Sequence, residues 1–347
     1  MPPSAALLLS LAAGAVAQSH SWYGLVIEAA VPDYYNIVEL SDASTISRVV
    51  AAVSVPAVEY VHVDAMRCLT GFCAFTATNF ASGVSYAYTV NTATGNLQSK
   101  VLLQGTCAHM HVDYSSHHLY TLCTEAGGAT QVWEVAGPTP SLVADISAQV
   151  GSGTILPGQT THCSAFQSMY VGVDLGGAGK DLLVTVGLQL GNASSITLQQ
   201  PLWRTLWARC DGSDEVGGIA WSANGTASFG TLNSDTGAFI AWASITVPAG
   251  VEPSGLLTET EVEQSVAAFY PLNTLTNATG VTGFLWAVDP FAKAGDDFLS
   301  PINYQVRGEC SAGPSHHPPA QLPAYPQAAP HTPPSPLPPI AAHCCLL

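Results

Sequence analysis

Short apolar strands separated by small polar turns recur along this chain. Alternating apolar and polar residues, with Gly, Asn, Asp or Pro between the runs, predict strands rather than helices through most of the sequence. The clearest copies are residues 86–97 and 228–239, each an alternating strand, a turn and a second strand. The last apolar residue before the turn recurs every 42 to 56 residues, at Leu40, Val90, Val135, Leu190, Leu232 and Val288.

This spacing predicts an all-β protein of the β-propeller class. Six copies at a mean spacing of about 50 residues match four-stranded blades of roughly 40 to 50 residues. The first unit has only three predicted strands, within residues 23–28, 34–40 and 47–53. A C-terminal strand at residues 302–307 would complete that blade and close the ring, which removes exposed strand edges. We predict a six-bladed β-propeller over residues 18–310, with seven blades as the alternative because two intervals are irregular.

Two segments carry a family resemblance. Residues 90–97 have the sequence V-N-T-A-T-G-N-L, and residues 111–120 have H-V-D-Y-S-S-H-H-L-Y. Both resemble the repeats of the YVTN, NHL and quinoprotein-like propeller superfamily. The resemblance implies the propeller architecture. Because that superfamily includes hydrolases, lyases, dehydrogenases and non-catalytic binding proteins, the resemblance implies no particular activity.

The two ends of the chain differ from the repeats. Residues 4–17 are an apolar run of 14 that ends in Ala-Val-Ala, whereas a membrane-spanning helix needs about 20 residues. We predict a signal peptide over residues 1–17 and a secreted protein without a membrane span. Residues 311–347 contain no Asp, Glu, Lys or Arg and hold 11 of the 24 prolines. This composition predicts a disordered Pro/His-rich tail.

The charges are few and one-sided. Only 9% of the residues are charged, and 8 Lys and Arg oppose 24 Asp and Glu, for a formal net charge of −16. Nucleic acid is therefore an unexpected partner, because the chain has few cations to neutralise phosphates. All of this charge lies within residues 18–310, which predicts a repulsive, acidic outer surface and a monomer.

Secretion bears on the cysteines and on three asparagines. Cysteines pair in an oxidising compartment, and their places in the repeat suggest which ones meet. The predicted pairs are Cys107 with Cys123, Cys163 with Cys210, and Cys68 with Cys73. The N-x-[ST] sequence of glycosylation sites occurs at Asn192, Asn224 and Asn277.

Histidines and aspartates on the predicted inner strands form the first candidate site. Two His-Val-Asp segments lie 49 residues apart, which places His62 and His111 at the same point of consecutive blades. His109 precedes His111 by two residues on the same predicted face, and His162 lies near the corresponding point of the next blade. Inner strands line the channel, so these imidazoles, with aspartates as oxygen ligands or orienting groups, predict a metal or general-base site. The residues are His62, His109, His111, His162, Asp64 and Asp113.

A structural role is the alternative for these residues. In that interpretation each Asp caps the turn after its inner strand, and each His packs between blades. A second candidate is the acidic segment with Asp211, Asp214 and Glu215. Clustered carboxylates suit Ca²⁺, although a solvated acidic turn has the same composition.

Two functions follow from these features. The first is a secreted binding or interaction module for a glycan or a protein ligand, since the motifs G-x-S-x-G, H-E-x-x-H and the P-loop do not occur in the sequence. The second is a metal-dependent propeller hydrolase or lyase with Ca²⁺ or Zn²⁺ at the channel. A redox quinoprotein is a third hypothesis, but no arrangement of residues that would stack on such a cofactor is recognised.

Overall fold

The computed structural model describes most of the repeat region. The described residues are 22–27, 34–42, 45–56, 59–69, 71–79, 81–113, 116–155, 159–176, 181–200, 205–209, 215–221, 226–246, 251–258, 270–277, 280–288 and 299–302. Within them strands are the dominant element, which confirms the all-β class, and α1 (Ser147–Val150) is a single helical turn. No helix among these residues is long and apolar enough to span a membrane. The predicted signal peptide and tail lie outside them.

The described strands form six antiparallel sheets. Sheet 1 contains β1 (Trp22–Ile27), β2 (Tyr34–Asp42) and β3 (Thr45–Ser54). Sheet 2 contains β4 (Glu59–Leu69), β5 (Phe72–Asn79), β6 (Ser85–Asn91) and β7 (Leu97–Leu102). Sheet 3 contains β8 (Thr106–Val112), β9 (Leu119–Thr124), β10 (Thr130–Val135) and β11 (Ser141–Asp145).

The remaining sheets continue the same order along the chain. Sheet 4 contains β12 (Thr160–Cys163), β13 (Ser168–Val173), β14 (Leu182–Gly187) and β15 (Asn192–Thr197). Sheet 5 contains β16 (Thr205–Arg209), β17 (Glu215–Trp221), β18 (Thr226–Asn233) and β19 (Phe239–Thr246). Sheet 6 contains β20 (Val251–Thr258), β21 (Tyr270–Asn277), β22 (Gly280–Val288) and β23 (Leu299–Ile302). Each strand pairs with its neighbour in sequence, as predicted for blades.

The first strands of the four-stranded sheets lie together around a common axis. β4 contacts β8, β8 contacts β12, β12 contacts β16, β16 contacts β20, and β20 contacts β4. Sheet 1 has the three strands that the sequence predicts and adds no described strand to this ring. Of the predicted closing strand only Ile302 is described, and it pairs with Leu285 in sheet 6. The closure and the number of blades therefore stay predictions.

Apolar side chains fill the spaces between consecutive sheets. Ile37 of sheet 1 and Phe75 of sheet 2 belong to one buried cluster, and Met110 of sheet 3 packs with Val101 of sheet 2 in the next. Further clusters join sheet 3 to sheet 4 and sheet 4 to sheet 5. Each fully buried side chain of this size stabilises the fold by about 1.5 to 3 kcal/mol. The sheets are thus held to one another face to face.

A six-residue turn explains the recurring Asn-x-x-Thr-Gly pattern. In the turn between β6 and β7 the side-chain oxygen Oδ1 of Asn91 accepts hydrogen bonds from the backbone N–H groups of Ala93 and Thr94, both at 2.9 Å. Gly95 then has φ +73°, a conformation that glycine adopts without steric cost. Its N–H donates to the carbonyl of Asn91 at 2.8 Å. The pattern is therefore a local turn signal.

The same turn occurs at residues 79–84, 113–118 and 233–238. Gly83 and Gly237 take the left-handed position in two of these turns, with φ +66° and +67°. In the turn at residues 113–118 His117 takes that position, with φ 58°. His117 is the one departure from glycine among the four.

Several turn glycines also abut the preceding sheet. A Cβ at Gly95 would lie 2.7 Å from the carbonyl oxygen of Val50, in the last strand of sheet 1. Equally close approaches join Gly191 to the carbonyl of Val143, and Gly237 to the carbonyl of Thr197. These glycines are required by both backbone conformation and space.

Two of the predicted disulfides are present. Cys68–Cys73 and Cys107–Cys123 join residues directly opposite each other on the first two strands of sheets 2 and 3. Cys163 is also disulfide-bonded. Its predicted partner, Cys210, lies outside the described residues, so that pairing stays a prediction.

Candidate functional site

His111 and His162 hold equivalent positions in neighbouring sheets. Each is in the second residue pair from the hairpin that joins the first two strands, His111 opposite Tyr120 and His162 opposite Met169. The predicted correspondence between these two histidines is therefore present in the strand register.

Both imidazoles lie between sheet 3 and sheet 4. His111, which is 1% exposed, hydrogen-bonds through Nε2 to Oγ1 of Thr160 at 2.9 Å. The ring of His162 is 5.5 Å from that of Tyr120 and 6.3 Å from that of His111, measured between centroids. Each His thus contacts a side chain of the neighbouring sheet, which is the arrangement that the structural interpretation describes.

His109 occupies a bulge in β8. The pairing register shifts between Ala108 and Met110, and His109 between them has φ 59° and is buried. A bulge adds one residue to a strand, so simple alternation no longer holds across it. The expectation that His109 and His111 share a face therefore loses its basis.

His62 does not hold the position of His111. The register of β4 shifts between Val61 and Met66, so residues 62–65, including His62 and Asp64, oppose a single residue of β5. Counted from the hairpin, the counterpart of His111 in sheet 2 is Cys68. The two His-Val-Asp segments are therefore alike in sequence but do not occupy equivalent positions in their strands.

The side chains of His62 and Asp64 lie outside the described residues. Within the part of the chain that the structure describes, no three His, Cys, Asp or Glu side chains are grouped as a metal would require. A metal role for the six residues stays a prediction.

Asp113 holds two turns together. Its Oδ1 accepts a hydrogen bond from the backbone N–H of Ser116 at 2.9 Å, which caps its own turn. Its Oδ2 accepts a hydrogen bond from Nε2 of Gln167, in the matching turn of sheet 4, at 2.8 Å. Asp113 itself is 1% exposed, and both bonds are partly buried. Hydrogen bonds to a carboxylate are stronger than neutral ones.

Glu134 gathers three polar side chains behind the turn of Asp113. Its Oε1 accepts hydrogen bonds from Nδ1 of His118 at 2.7 Å and from the hydroxyl of Tyr120 at 3.1 Å. Its Oε2 accepts a hydrogen bond from the hydroxyl of Ser141 at 3.3 Å. Burial raises the pKa of Tyr120 above its ordinary value, and the charge of Glu134 raises it further. Tyr120 is therefore a neutral hydrogen-bond donor at physiological pH.

Backbone strain is concentrated in the same region. Among the described residues the non-glycine positions with positive φ are His109, His117 and Gln167, all within the first strands and hairpin turns of sheets 3 and 4. Such conformations persist where the surrounding structure enforces them, and they cluster at functional sites. This concentration marks the hairpin ends of sheets 3 and 4 as a candidate site.

We define the rim as the described turn residues Asp113, Ser116, His117 and His118, residues 164–167, and Phe72. The ring of His117 stacks on that of Phe72 in sheet 2, with centroids 6.2 Å apart and planes 10° apart. Phe166 is 39% exposed and precedes Gln167. The rim therefore spans three consecutive sheets through the Phe72–His117 and Asp113–Gln167 contacts.

The rim is flanked by a long stretch without basic residues. Residues 101–179, which cover sheet 3 and half of sheet 4, contain no Lys or Arg. Arginine and lysine are the usual partners of carboxylate and phosphate groups. This part of the chain is consequently poorly suited to anionic ligands.

The other predicted sites are largely undescribed. Asp211, Asp214 and Asn224 lie outside the described residues, and the side chains of Glu215 and Asn277 are likewise undescribed. Asn192 is exposed at the start of β15. The Ca²⁺ site and the three glycosylation sites stay predictions.

Several residues of the site were not singled out in the sequence. Thr160, Gln167, Tyr120 and Glu134 carry no motif, because their role depends on contacts between strands and sheets that are distant in sequence. His117 did carry a signal, since aligning residues 113–118 with residues 91–96 places a histidine where the related turns have glycine.

No protein-family model and no curated protein matches this sequence. The fold is similar to that of TolB from Acinetobacter baumannii, with 9% identity and a TM-score of 0.43, over 77% of this chain and 60% of TolB. It is also similar to oligogalacturonate lyase in complex with manganese, with 12% identity and a TM-score of 0.46, over 78% and 70% of the two chains.

A third similar structure is that of BBS1N in complex with ARL6DN, with 12% identity and a TM-score of 0.44, over 78% of this chain and 77% of that one. This chain spans three fifths of TolB and longer fractions of the other two. These neighbours are β-propeller-like proteins. The present chain has the all-β composition and the successive four-stranded antiparallel sheets that the propeller prediction requires.

Proposed function

We infer that this protein is a secreted β-propeller that binds a glycan or a protein ligand at the rim. The proposal is supported by the different locations of the histidines. His111 and His162 are buried in contacts between sheets, whereas His117 and Phe166 are exposed at the rim. Among these rings, the ones available to a ligand thus lie at the rim rather than on the faces between sheets.

Secretion and the closed ring are parts of the same proposal. The disulfides of sheets 2 and 3 support an oxidising compartment, since such bonds persist there. A six-bladed ring requires one more inner strand beside β1. We propose that residues 302–307 supply it, in which case this strand would lie between β20 and β4, which are in contact in the structure. N-glycosylation at Asn192 fits an exposed strand end.

The metal-dependent alternative has a direct test of its own. Elemental analysis of the purified full chain, with thermal unfolding in the presence and absence of EDTA, measures whether Ca²⁺ or Zn²⁺ is bound. Under the binding-module proposal we expect no stoichiometric metal and an unchanged unfolding temperature. A bound metal whose removal lowers that temperature would favour the hydrolase or lyase instead.

Ligand binding is tested with arrays of glycans and of extracellular proteins, probed with the labelled full chain from a glycosylating host. We expect binding that is lost in the double variant His117→Ala and Phe166→Ala. The matched control is Ile240→Ala, which removes a 62% exposed apolar side chain on the outermost strand of sheet 5, outside the three sheets of the rim. Binding to neither array, or binding that the double variant retains, would contradict the proposal.

A further inference from the structure

The rim combines exposed rings with polar groups of no net positive charge. We propose that it binds a neutral oligosaccharide, with one pyranose ring against Phe166 or His117. This inference rests on the proposed function and narrows its ligand to one chemical class. A protein ligand at the same rim is the competing outcome.

The rings of the rim are presented to solvent on fixed supports. Phe166 is 39% exposed although it is a large apolar side chain. His117 is also exposed, and the stacked ring of Phe72 backs it at 6.2 Å. Flat, amphipathic or apolar ring faces provide contact area at little conformational cost. They suit the flat apolar face of a pyranose.

Buried hydrogen bonds hold the two rim turns in a fixed relation. Asp113 accepts one bond from its own turn and one from Gln167. Gln167 also donates to the backbone carbonyl of Ser164 at 2.7 Å, so the residues on either side of Phe166 are tied down. A site held in this way loses little freedom on binding.

The charges near the rim favour a neutral ligand over an acidic one. Residues 101–179 contain no Lys or Arg to pair with a uronic acid, sulfate or phosphate group. Arg67 lies on the strand that pairs with Phe72, and its Nη1 already donates to the carbonyl of Met66 at 2.8 Å. The carboxylates of Asp113 and Glu134 already accept hydrogen bonds from Gln167, His118 and Tyr120. The hydroxyl of Ser116 and the amide Oε1 of Gln167, whose Nε2 donates to Asp113 and Ser164, match the hydroxyls of a sugar.

The conformation of His117 gives the proposal a distinctive signature. A non-glycine residue in the left-handed region is sterically strained, whereas glycine is not. Replacing His117 by the glycine of the related turns should therefore stabilise the protein while removing a ring from the binding surface. A turn residue without a ligand role would show the stabilisation alone.

The first step of the test is a glycan array that carries neutral and acidic pyranose oligosaccharides, followed by calorimetric titration with the neutral glycan that binds best. We expect binding to neutral glycans only. Phe166→Ala should weaken the affinity at least tenfold. His117→Gly should weaken it several-fold while raising the unfolding temperature. The control Ile240→Ala should stay within twofold of the unaltered protein.

Two results would overturn the saccharide proposal. One is the lack of binding to any neutral glycan, and the other is neutral binding that Phe166→Ala and His117→Gly leave unchanged. If the rim variants abolish binding to a protein on the protein array instead, the proposed binding function stands and the saccharide inference alone fails. If neither array shows rim-dependent binding, both fail.

Discussion

The turns at residues 113–118 and 233–238 are closed by the same two backbone hydrogen bonds but join neighbouring sheets differently. In each, the first residue donates its N–H to the carbonyl of the sixth at 2.8 Å. Gly237 rests against the carbonyl of Thr197 in sheet 4. His117 has a ring that stacks on Phe72 of sheet 2, and its turn reaches sheet 4 through Asp113.

This contrast shows how one local motif serves two purposes. A glycine junction brings two backbones into contact and leaves no room for a side chain, so it can only hold sheets together. A side-chain junction, made by Asp113 and Gln167, holds sheets together while leaving its turn open to solvent. Chemistry is expected at the second kind of junction.

The largest expected effect comes from filling the glycine junction. Gly237→Ala places a methyl group against a backbone carbonyl that cannot move aside, so we expect a loss of about 3 kcal/mol in the free energy of unfolding. Gly83→Ala is the matched control, since Gly83 has nearly the same φ but nothing within 4 Å of an added Cβ. It should cost only about 1 kcal/mol. Denaturant unfolding measures both, and equal losses would show that the junction adds nothing.

The next effect comes from breaking the side-chain junction. Asp113→Ala removes the acceptor of two hydrogen bonds in a buried site, and we expect a loss of about 2 to 3 kcal/mol. Asp113→Asn should lose about half as much, because Asn caps the related turns at residues 79–84, 91–96 and 233–238 but would present an N–H donor to Nε2 of Gln167. Chemical denaturation distinguishes the two variants. If the Asn variant lost as much as the Ala variant, the bond to Gln167 rather than the cap would hold the turn.

The smallest expected effect comes from Tyr120, whose hydroxyl donates a hydrogen bond to Glu134 behind the rim. Burial raises the pKa of Tyr120 above the value of about 10 of an unfolded chain. As pH rises past 10, the unfolded chain releases this proton first, so the contribution is present below pH 10 and is lost above it. Tyr120→Phe should lower stability by about 1 kcal/mol at pH 7 and reduce the further loss between pH 9 and 11. If the free energy of unfolding of the Tyr120→Phe variant fell as steeply between pH 9 and 11 as that of the unaltered protein, Tyr120 would not be the group responsible for the loss.

Local patterns in the sequence predicted the strands and turns well. Period-two alternation and the Asn-x-x-Thr-Gly turn depend on neighbouring residues, so β6, β7, β18 and β19 and the turns between them fall where predicted. The Cys107–Cys123 disulfide also follows from a local hairpin. These features need only the order of residues along a few strands.

The site was predicted only in part because it depends on bulges and on contacts between sheets. Residues 62–65 form an insertion within β4, which a count of spacing cannot distinguish from a regular strand. The prediction that His62 and His111 occupy equivalent positions is wrong for that reason. Likewise, the hydrogen bonds between Thr160 and His111 and between Gln167 and Asp113 join residues of different sheets that are 49 and 54 positions apart in the sequence. The periodicity of a single sequence carries no information about such pairs.

The glycine junctions have a consequence for how such a chain can evolve. Sheets 2, 4 and 5 each bring a turn glycine that meets the last strand of the sheet before it. A duplicated unit of this kind carries both halves of the joint, namely its own glycine and a last strand for the next unit to meet. Whole units can therefore be added or lost by duplication and deletion of the coding sequence, without a new interface having to arise by substitution.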